Sequence, residues 1–280
     1  MNVRRPERPR IQSLALRALK TAAEAADRLR GPRRGVVVLI YHRVGAGSGL
    51  ELDLPLGRFE DQMAELADDG RVKTLDSALD ALAAPEPPDR DPVVITFDDG
   101  PADFADTTLP VLARYRIPVT MYLATAFVEE QRDFPYGAPP LSWAAMRDTL
   151  STGLVTVGSH TNTHALLDRI PAAQIDDELT TSTTLIEDRL GVTPYHFAYP
   201  KSVPPSGPAD RAVRERFRSA ALAGTRPNRY GTTDPHRLAR SPIQAGDEMR
   251  WFRAKVGGGM GLEDAVRRTA NRWRYSGAES

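Results

Sequence analysis

Two short segments concentrate the residues able to do chemistry: Asp98-Asp99 and His160-Thr-Asn-Thr-His164. The carboxylates follow the apolar run Val93-Val-Ile-Thr-Phe97 and precede Gly100-Pro101. Ionised carboxylates at the end of a buried run are costly unless a cation compensates them. The spacing of His160 and His164 puts both imidazoles on one side of a turn or helix, where they suit a single metal ion. No Glu stands at 161, so the metalloprotease helix motif is absent. Asp99, His160 and His164 together form a three-ligand set for catalytic zinc or a similar divalent ion, with a position left for water or substrate. Asp98 is then free to act as a base. Neighbouring strand residues point to opposite faces, so the chain must bend between Asp98 and Gly100 for both carboxylates to reach one site. The competing use of this pair is to cap a following helix over 102–115.

These residues need elements that bring them together. The run Val36–Tyr41 is short, apolar and β-branched, and predicts a buried strand ending on His42. Further buried strands are predicted over 93–97, 119–124, 154–158, 196–199 and 219–223. Helices are predicted over 57–69, 75–83, 105–115, from Trp143, over 171–190 and over 208–217. A Pro- and Gly-bearing loop is expected over 126–142, and another runs to 240. Alternation of strand and helix means a parallel sheet with helical crossovers. The fold class is therefore α/β, and a closed or nearly closed (β/α) barrel fits better than an open sheet. In such barrels chemistry sits where strands end and loops begin. His42, Asp98, His160 and the Tyr199-Pro200 corner all fall at such ends.

The chain has 280 residues, 37 Lys+Arg against 37 Asp+Glu, and no cysteine. Disulfides, thiolate metal sites and a cysteine nucleophile are excluded. The zero net charge argues against nucleic acid as main partner. That zero is a sum. Residues 1–34 carry ten basic and three acidic groups, a formal +7, so the remainder carries −7. Ile11, Leu14, Ala18, Ala22, Ala25 and Leu29 give the arm a rough apolar stripe, with Leu16 and Leu19 off it. It is too interrupted for a membrane span and makes no clear signal peptide, since Arg17 and Lys20 break its apolar core. The alternatives are a solvated arm, a basic amphipathic helix on an anionic membrane face and, last, an export signal. The expected division is a basic arm over 1–34, a barrel over 35–245 and a helical extension over 246–280.

Thr96-Phe-Asp-Asp-Gly-Pro101, Ser159-His-Thr-Asn-Thr-His164 and Phe197-Ala-Tyr-Pro200 resemble, in order, three motifs of the polysaccharide deacetylases, carbohydrate esterase family 4. The resemblance covers about residues 36–245. It implies a distorted (β/α) barrel that removes N-acetyl groups from aminosugars with one divalent metal ion, zinc first, with nickel, cobalt or manganese as alternatives. It implies Asp98 as catalytic base and Asp99, His160 and His164 as metal ligands. Two departures matter. The family's third-motif Arg is replaced by Ala198, and Leu238-Ala-Arg240 stands where a Leu-x-His motif usually carries the general acid. The branch of bacterial poly-N-acetylglucosamine deacetylases has a Phe-Ala-Tyr-Pro motif and an acid-bearing strand that comes first. Val38-Leu-Ile-Tyr-His42 is similar to that circularly shifted order, which assigns the acid to His42, ahead of His236. His196 is expected to be structural. Arg240 is the first candidate to offset Asp98, and Lys201 the second.

The reaction so implied is metal-assisted amide hydrolysis, with the Lys201 backbone N–H beside Pro200 holding the oxyanion. Tyr136, Trp143 and Tyr199 are candidate sugar-stacking groups. The partner is then an N-acetylated sugar, in a polysaccharide or its biosynthetic intermediate, with no nucleic acid. The expected location is cytoplasmic, with peripheral contact at the inner membrane face through residues 1–34. The competing readings are a deacylase of a lipid-linked sugar, an O-acetyl esterase and a non-catalytic carbohydrate-binding barrel.

Overall fold

The computed structural model describes residues 10–30 and 33–266, with side chains from 16 to 27 and from 33 onward. Along the chain run α1 (Arg10–Arg30), β1 (Val37–Tyr41), β2 (Arg43–Val44), β3 (Asp53–Leu54), α2 (Leu56–Asp69) and α3 (Leu75–Ala83). Then come β4 (Val93–Asp99), α4 (Leu109–Tyr115), β5 (Val119–Leu123), α5 (Thr125–Glu130), α6 (Trp143–Ser151) and β6 (Val155–Ser159). The last are α7 (Ala172–Leu190), β7 (His196–Ala198), α8 (Gly207–Arg216), β8 (Ser219–Ala223), β9 (Leu238–Pro242) and α9 (Met249–Val256).

Seven parallel strands close a barrel in the order β1-β4-β5-β6-β7-β8-β9, and β9 pairs with β1 to seal it. The predicted (β/α) barrel is thus observed. Its first strand sits between β4 and the last strand, so Tyr41 pairs with Phe97 and His42 follows at the level of Asp98. The strands alternate as the pleat requires. Val38, Val94, Tyr122, Ala198, Ala221 and Leu238 fill the interior, joined by Leu75, Leu79 and Leu82 of α3. Leu39, Ile95, Phe97 and Met121 face outward onto α2, α4, α6 and α9, where Phe59, Met63, Leu112, Met146 and Phe252 meet them. In α2, Phe59, Gln62, Met63 and Leu66 are the buried face, at the spacing of a one-sided helix.

Three local readings change. β9 lies where a loop to 240 was expected; its backbone is held by β8 and β1 rather than by its own pattern. The loop expected over 126–142 contains α5. The helix expected over 105–115 begins as a π-helical turn, Phe104–Thr108, before α4.

The arm also differs. Ala18, Ala22 and Ala25 of the expected stripe are exposed. The buried residues are Lys20 and Ala23, against Trp251 and Met260. The Lys20 ammonium reaches Asp247 and lies over the Trp251 ring, so the helix turns this face to the protein and those alanines to water. Ile11, Leu14 and Leu29 lie outside the described side chains. Among the described residues no helix is long and apolar enough to cross a membrane.

Candidate active site

Asp98 and Asp99 end β4, with Asp98 facing into the barrel. Strict alternation would turn Asp99 outward to the helices. Asp99 instead adopts φ 74° and Gly100 φ 93°. The predicted bend is there, and it swings the second carboxylate to the same barrel mouth as the first. Glycine suits position 100, because L side chains rarely adopt this φ and a Cβ would press on Leu123 Cδ2 at 2.5 Å.

His160 follows β6. Its backbone N–H bonds Leu123 O at 2.8 Å, and its Nδ1 lies 2.7 Å from the Ala198 carbonyl. A carbonyl only accepts, so Nδ1 carries a proton, and Nε2 is the ring nitrogen that faces the site. The loop onward to His164 is a turn, with Thr161 at φ 63° and His164 at φ 64°. Glu178 on α7 holds it by accepting from the Asn162 and Thr163 backbone N–H groups, each at 2.9 Å, and from the Thr163 hydroxyl at 2.6 Å. The sequence gives no sign of this anchor, because Glu178 follows Asp176 and Asp177 and reads as one more solvated acid.

The geometry converges on Asp99 Oδ1. His160 Nε2 is 3.6 Å from it and His164 Nε2 3.5 Å. The ligand atoms of Asp99, His160 and His164 all lie within 4.8 Å of one another. Burial, then His160 and Lys201, lowers His164 to about 4, so its ring is neutral at ordinary pH. One carboxylate oxygen and two imidazole nitrogens so placed are a donor set that fits a divalent cation.

Asp98 is satisfied differently. Arg240, fully buried on β9, grips it with both guanidinium arms, Nη1–Oδ1 at 2.6 Å and Nη2–Oδ2 at 2.8 Å. Arg240 also donates to Thr96 Oγ1 at 3.1 Å and lies over the Tyr122 ring at 5.0 Å. That ring has room because Gly158 stands beside it; a Cβ there would meet Tyr122 at 2.6 Å. Burial alone would raise the pKa of Asp98. Arg240, His160 and His42 override it and hold the carboxyl at about 2. His42 is half-buried at the mouth, and its side chain makes no hydrogen bond among the described residues.

The structure does not bring every sequence candidate here. Tyr199 is a correction. With Ala198 facing inward, Tyr199 faces outward, buried against Phe197 and the α8 residues Ala209 and Val213, and offers no ring to a sugar. Trp143 is also a correction. It is half-buried against the main core, and its indole N–H is spent on Glu129 at 2.7 Å. Pro200 is buried, and Lys201 beside it takes a left-handed φ of 49° in a short 3₁₀ turn. Tyr136 gives its hydroxyl to Asp99 Oδ2 at 2.9 Å, and burial followed by Asp99 pushes its pKa well above the ordinary value. His196 is buried and paired with Ser219 at 3.0 Å, and His236 bonds the Phe217 carbonyl at 2.7 Å. Neither histidine is part of the cluster.

Comparison with known proteins agrees with this arrangement. The family model for polysaccharide deacetylase matches residues 86–222, a stretch that spans Asp98, Asp99, His160, His164 and the Phe197–Pro200 segment. The matched segment, residues 86–222, is a polysaccharide deacetylase domain. The deacetylase domain is similar to the putative polysaccharide deacetylase YxkH of Bacillus subtilis, 26% identical over 164 residues, 58% of this chain and 55% of that protein. It is also similar to a chitooligosaccharide deacetylase of Bradyrhizobium, 32% identical over 95 residues, 34% of this chain and 38% of that protein. The matches therefore span about half or less of those curated relatives. The fold of the deacetylase domain resembles that of IcaB from Ammonifex degensii, with TM-score 0.69 and 24% identity, covering 81% of this chain and 98% of that one.

Proposed function

We propose that the barrel removes N-acetyl groups from an aminosugar, in a polysaccharide or its biosynthetic intermediate, with zinc held by Asp99, His160 and His164. The observation that carries the reading is the division of labour at the end of β4. Asp99 turns to the two imidazoles, while Asp98 stays ionised against Arg240. When bound, the divalent ion supplies Lewis acidity to a water and to an acyl oxygen.

The chain's own residues do the rest. Asp98 accepts a proton from the attacking water. At a pKa of about 2 it is ionised at any working pH but is a weak base, so the water must first be made acidic. The Lys201 backbone N–H is the oxyanion donor in this reading. His42, level with Asp98 across the β1–β4 pairing, gives the leaving amine its proton. An amide needs that proton more than an ester does, which separates N-deacetylation from the O-acetyl alternative.

The test is acetate release by the full chain from soluble chitooligosaccharides, peptidoglycan fragments and lipid-linked aminosugars. Acetate from one class, lost with a chelator and restored by zinc, supports the reading. A folded, zinc-loaded protein that releases none would make the barrel a binding protein. The place of action is a second reading. The +7 arm would rest the barrel on an anionic membrane. Lys20 is part of the fold, so deleting the arm is a poor probe. Replacing Arg4, Arg5, Arg8 and Arg10 by Ser and sedimenting with anionic vesicles is a better one; undiminished binding would remove the arm as anchor.

A further inference from the structure

Asp99 has two carboxylate oxygens, and they face different partners. Oδ1 is the one near both imidazoles, at 3.6 and 3.5 Å. Oδ2 accepts the Tyr136 hydroxyl at 2.9 Å. A carboxylate can give a cation one oxygen or both, and here one is already engaged.

The phenol is held firmly. Its ring stacks on Phe134 at 5.4 Å with 5° between planes, and Phe134 stacks on Phe127 at 4.7 Å. Arg43 lies over the Tyr136 ring at 5.9 Å and is fixed by Asp103, Nε–Oδ2 3.0 Å. The loop that carries Tyr136 is also sewn to the turn that presents Asp99. Leu141 donates to the Gly100 carbonyl at 2.9 Å, and Ala102 donates to the Pro139 carbonyl at 2.8 Å. Loop and turn form one unit, so the phenol and the carboxylate are placed together.

We propose that Tyr136 is a positioning residue for the cation site. Its hydroxyl occupies Asp99 Oδ2, so Asp99 presents Oδ1 alone beside the two imidazoles, and the remaining coordination positions stay open to water and substrate. This rests on the reading of Asp99, His160 and His164 as the cation ligands. Partners that orient a metal ligand contribute about ten- to a hundredfold in metal affinity.

The full chain and its Tyr136→Phe variant are titrated with Zn²⁺ in competition with a chromogenic chelator, then loaded with Co²⁺ for visible absorption. Phe keeps the ring stack and removes only the hydroxyl. The expected result is Zn²⁺ binding about ten- to a hundredfold weaker and a weaker Co²⁺ visible band, as the freed Asp99 adds its second oxygen. Phe134→Leu, which unsettles the stack and keeps the hydroxyl, should weaken Zn²⁺ binding by less. Wild-type Zn²⁺ affinity and an unchanged Co²⁺ spectrum in Tyr136→Phe overturn the proposal while leaving the site assignment standing. A wild-type chain that binds no Zn²⁺ overturns the site assignment itself.

Discussion

Among the described residues, two clusters of buried charged side chains differ in their balance, one at the end of β4 and one where α1 meets α9. In the second, the Lys20 ammonium pairs with Asp247 and lies 3.6 Å from Glu263, while Lys255 lies 2.8 Å from Asp247 and 3.7 Å from Glu263. Two ammonium groups meet two carboxylates, and each carboxylate sees both. In the first, two carboxylates meet one guanidinium. Asp98 takes both arms of Arg240, and Asp99 is left to two imidazoles and a phenol. Buried charge is expensive in both places. The balanced cluster closes on itself and joins α1 to α9 and the residues around it. The unbalanced one lacks a positive charge, and that missing charge, rather than burial, marks it as the candidate site.

This contrast can be broken first at Asp98. Asp98→Asn keeps the shape and removes the charge. Deacetylation should fall by up to about ten-thousandfold, the upper range for a general base, with zinc content at the wild-type level. Retained turnover would remove Asp98 from the chemistry.

Arg240→Met leaves Asp98 buried without its partner. Breaking such a pair costs about 3–5 kcal/mol, roughly 10 °C in Tm for a domain of this size. The double variant Asp98→Asn, Arg240→Met should recover much of that stability, since neither charge is stranded, and none of the activity. A double variant no more stable than Arg240→Met would mean that the guanidinium serves packing rather than charge balance. His42→Ala comes next. Amide hydrolysis should drop by at least about a hundredfold, and hydrolysis of an activated acetyl ester by less. Equal losses on both substrates would take the acid role from His42.

The candidate site was more legible than the elements around it. Asp98, Asp99, His160 and His164 are readable because a metal set needs rare residue types at strand ends, and the alternation of apolar runs places those ends on one face. Arg240 was readable only by subtraction, as the cation that Ala198 fails to supply. β9 was not, because Leu238-Ala-Arg-Ser-Pro242 has no strand periodicity of its own and is held by pairing with β1, some 200 residues away. The second role of Tyr136 was hidden for a similar reason. A phenol in a Pro- and Gly-bearing loop has no periodic signal, and its partner is known only once Asp99 has turned. In α1, every face carries alanine, so the sequence could not tell that Lys20 and Ala23 face the protein while Ala18, Ala22 and Ala25 face water.

The smallest expected effect lies in the balanced cluster. Lys20→Met removes one of two ammonium groups and leaves Lys255 on Asp247, so the loss should be about 1–3 kcal/mol. Burial would raise the pKa of Asp247, but Lys255 and then Lys20 pull it below its ordinary value. A carboxyl lowered on folding adds stability above its unfolded pKa, about 3.9, and loses it as pH falls through the folded value. The stability gap between wild type and Lys20→Met should therefore be full at pH 7 and begin to narrow as pH falls below about 4 toward the lowered folded value. Zinc affinity and turnover should not change, because the two clusters share no partner. Denaturant unfolding at pH 7 and pH 3 measures the gap. A gap that persists at pH 3 would assign Lys20 to packing against Trp251, and weakened zinc binding would show that the two clusters are coupled through the barrel.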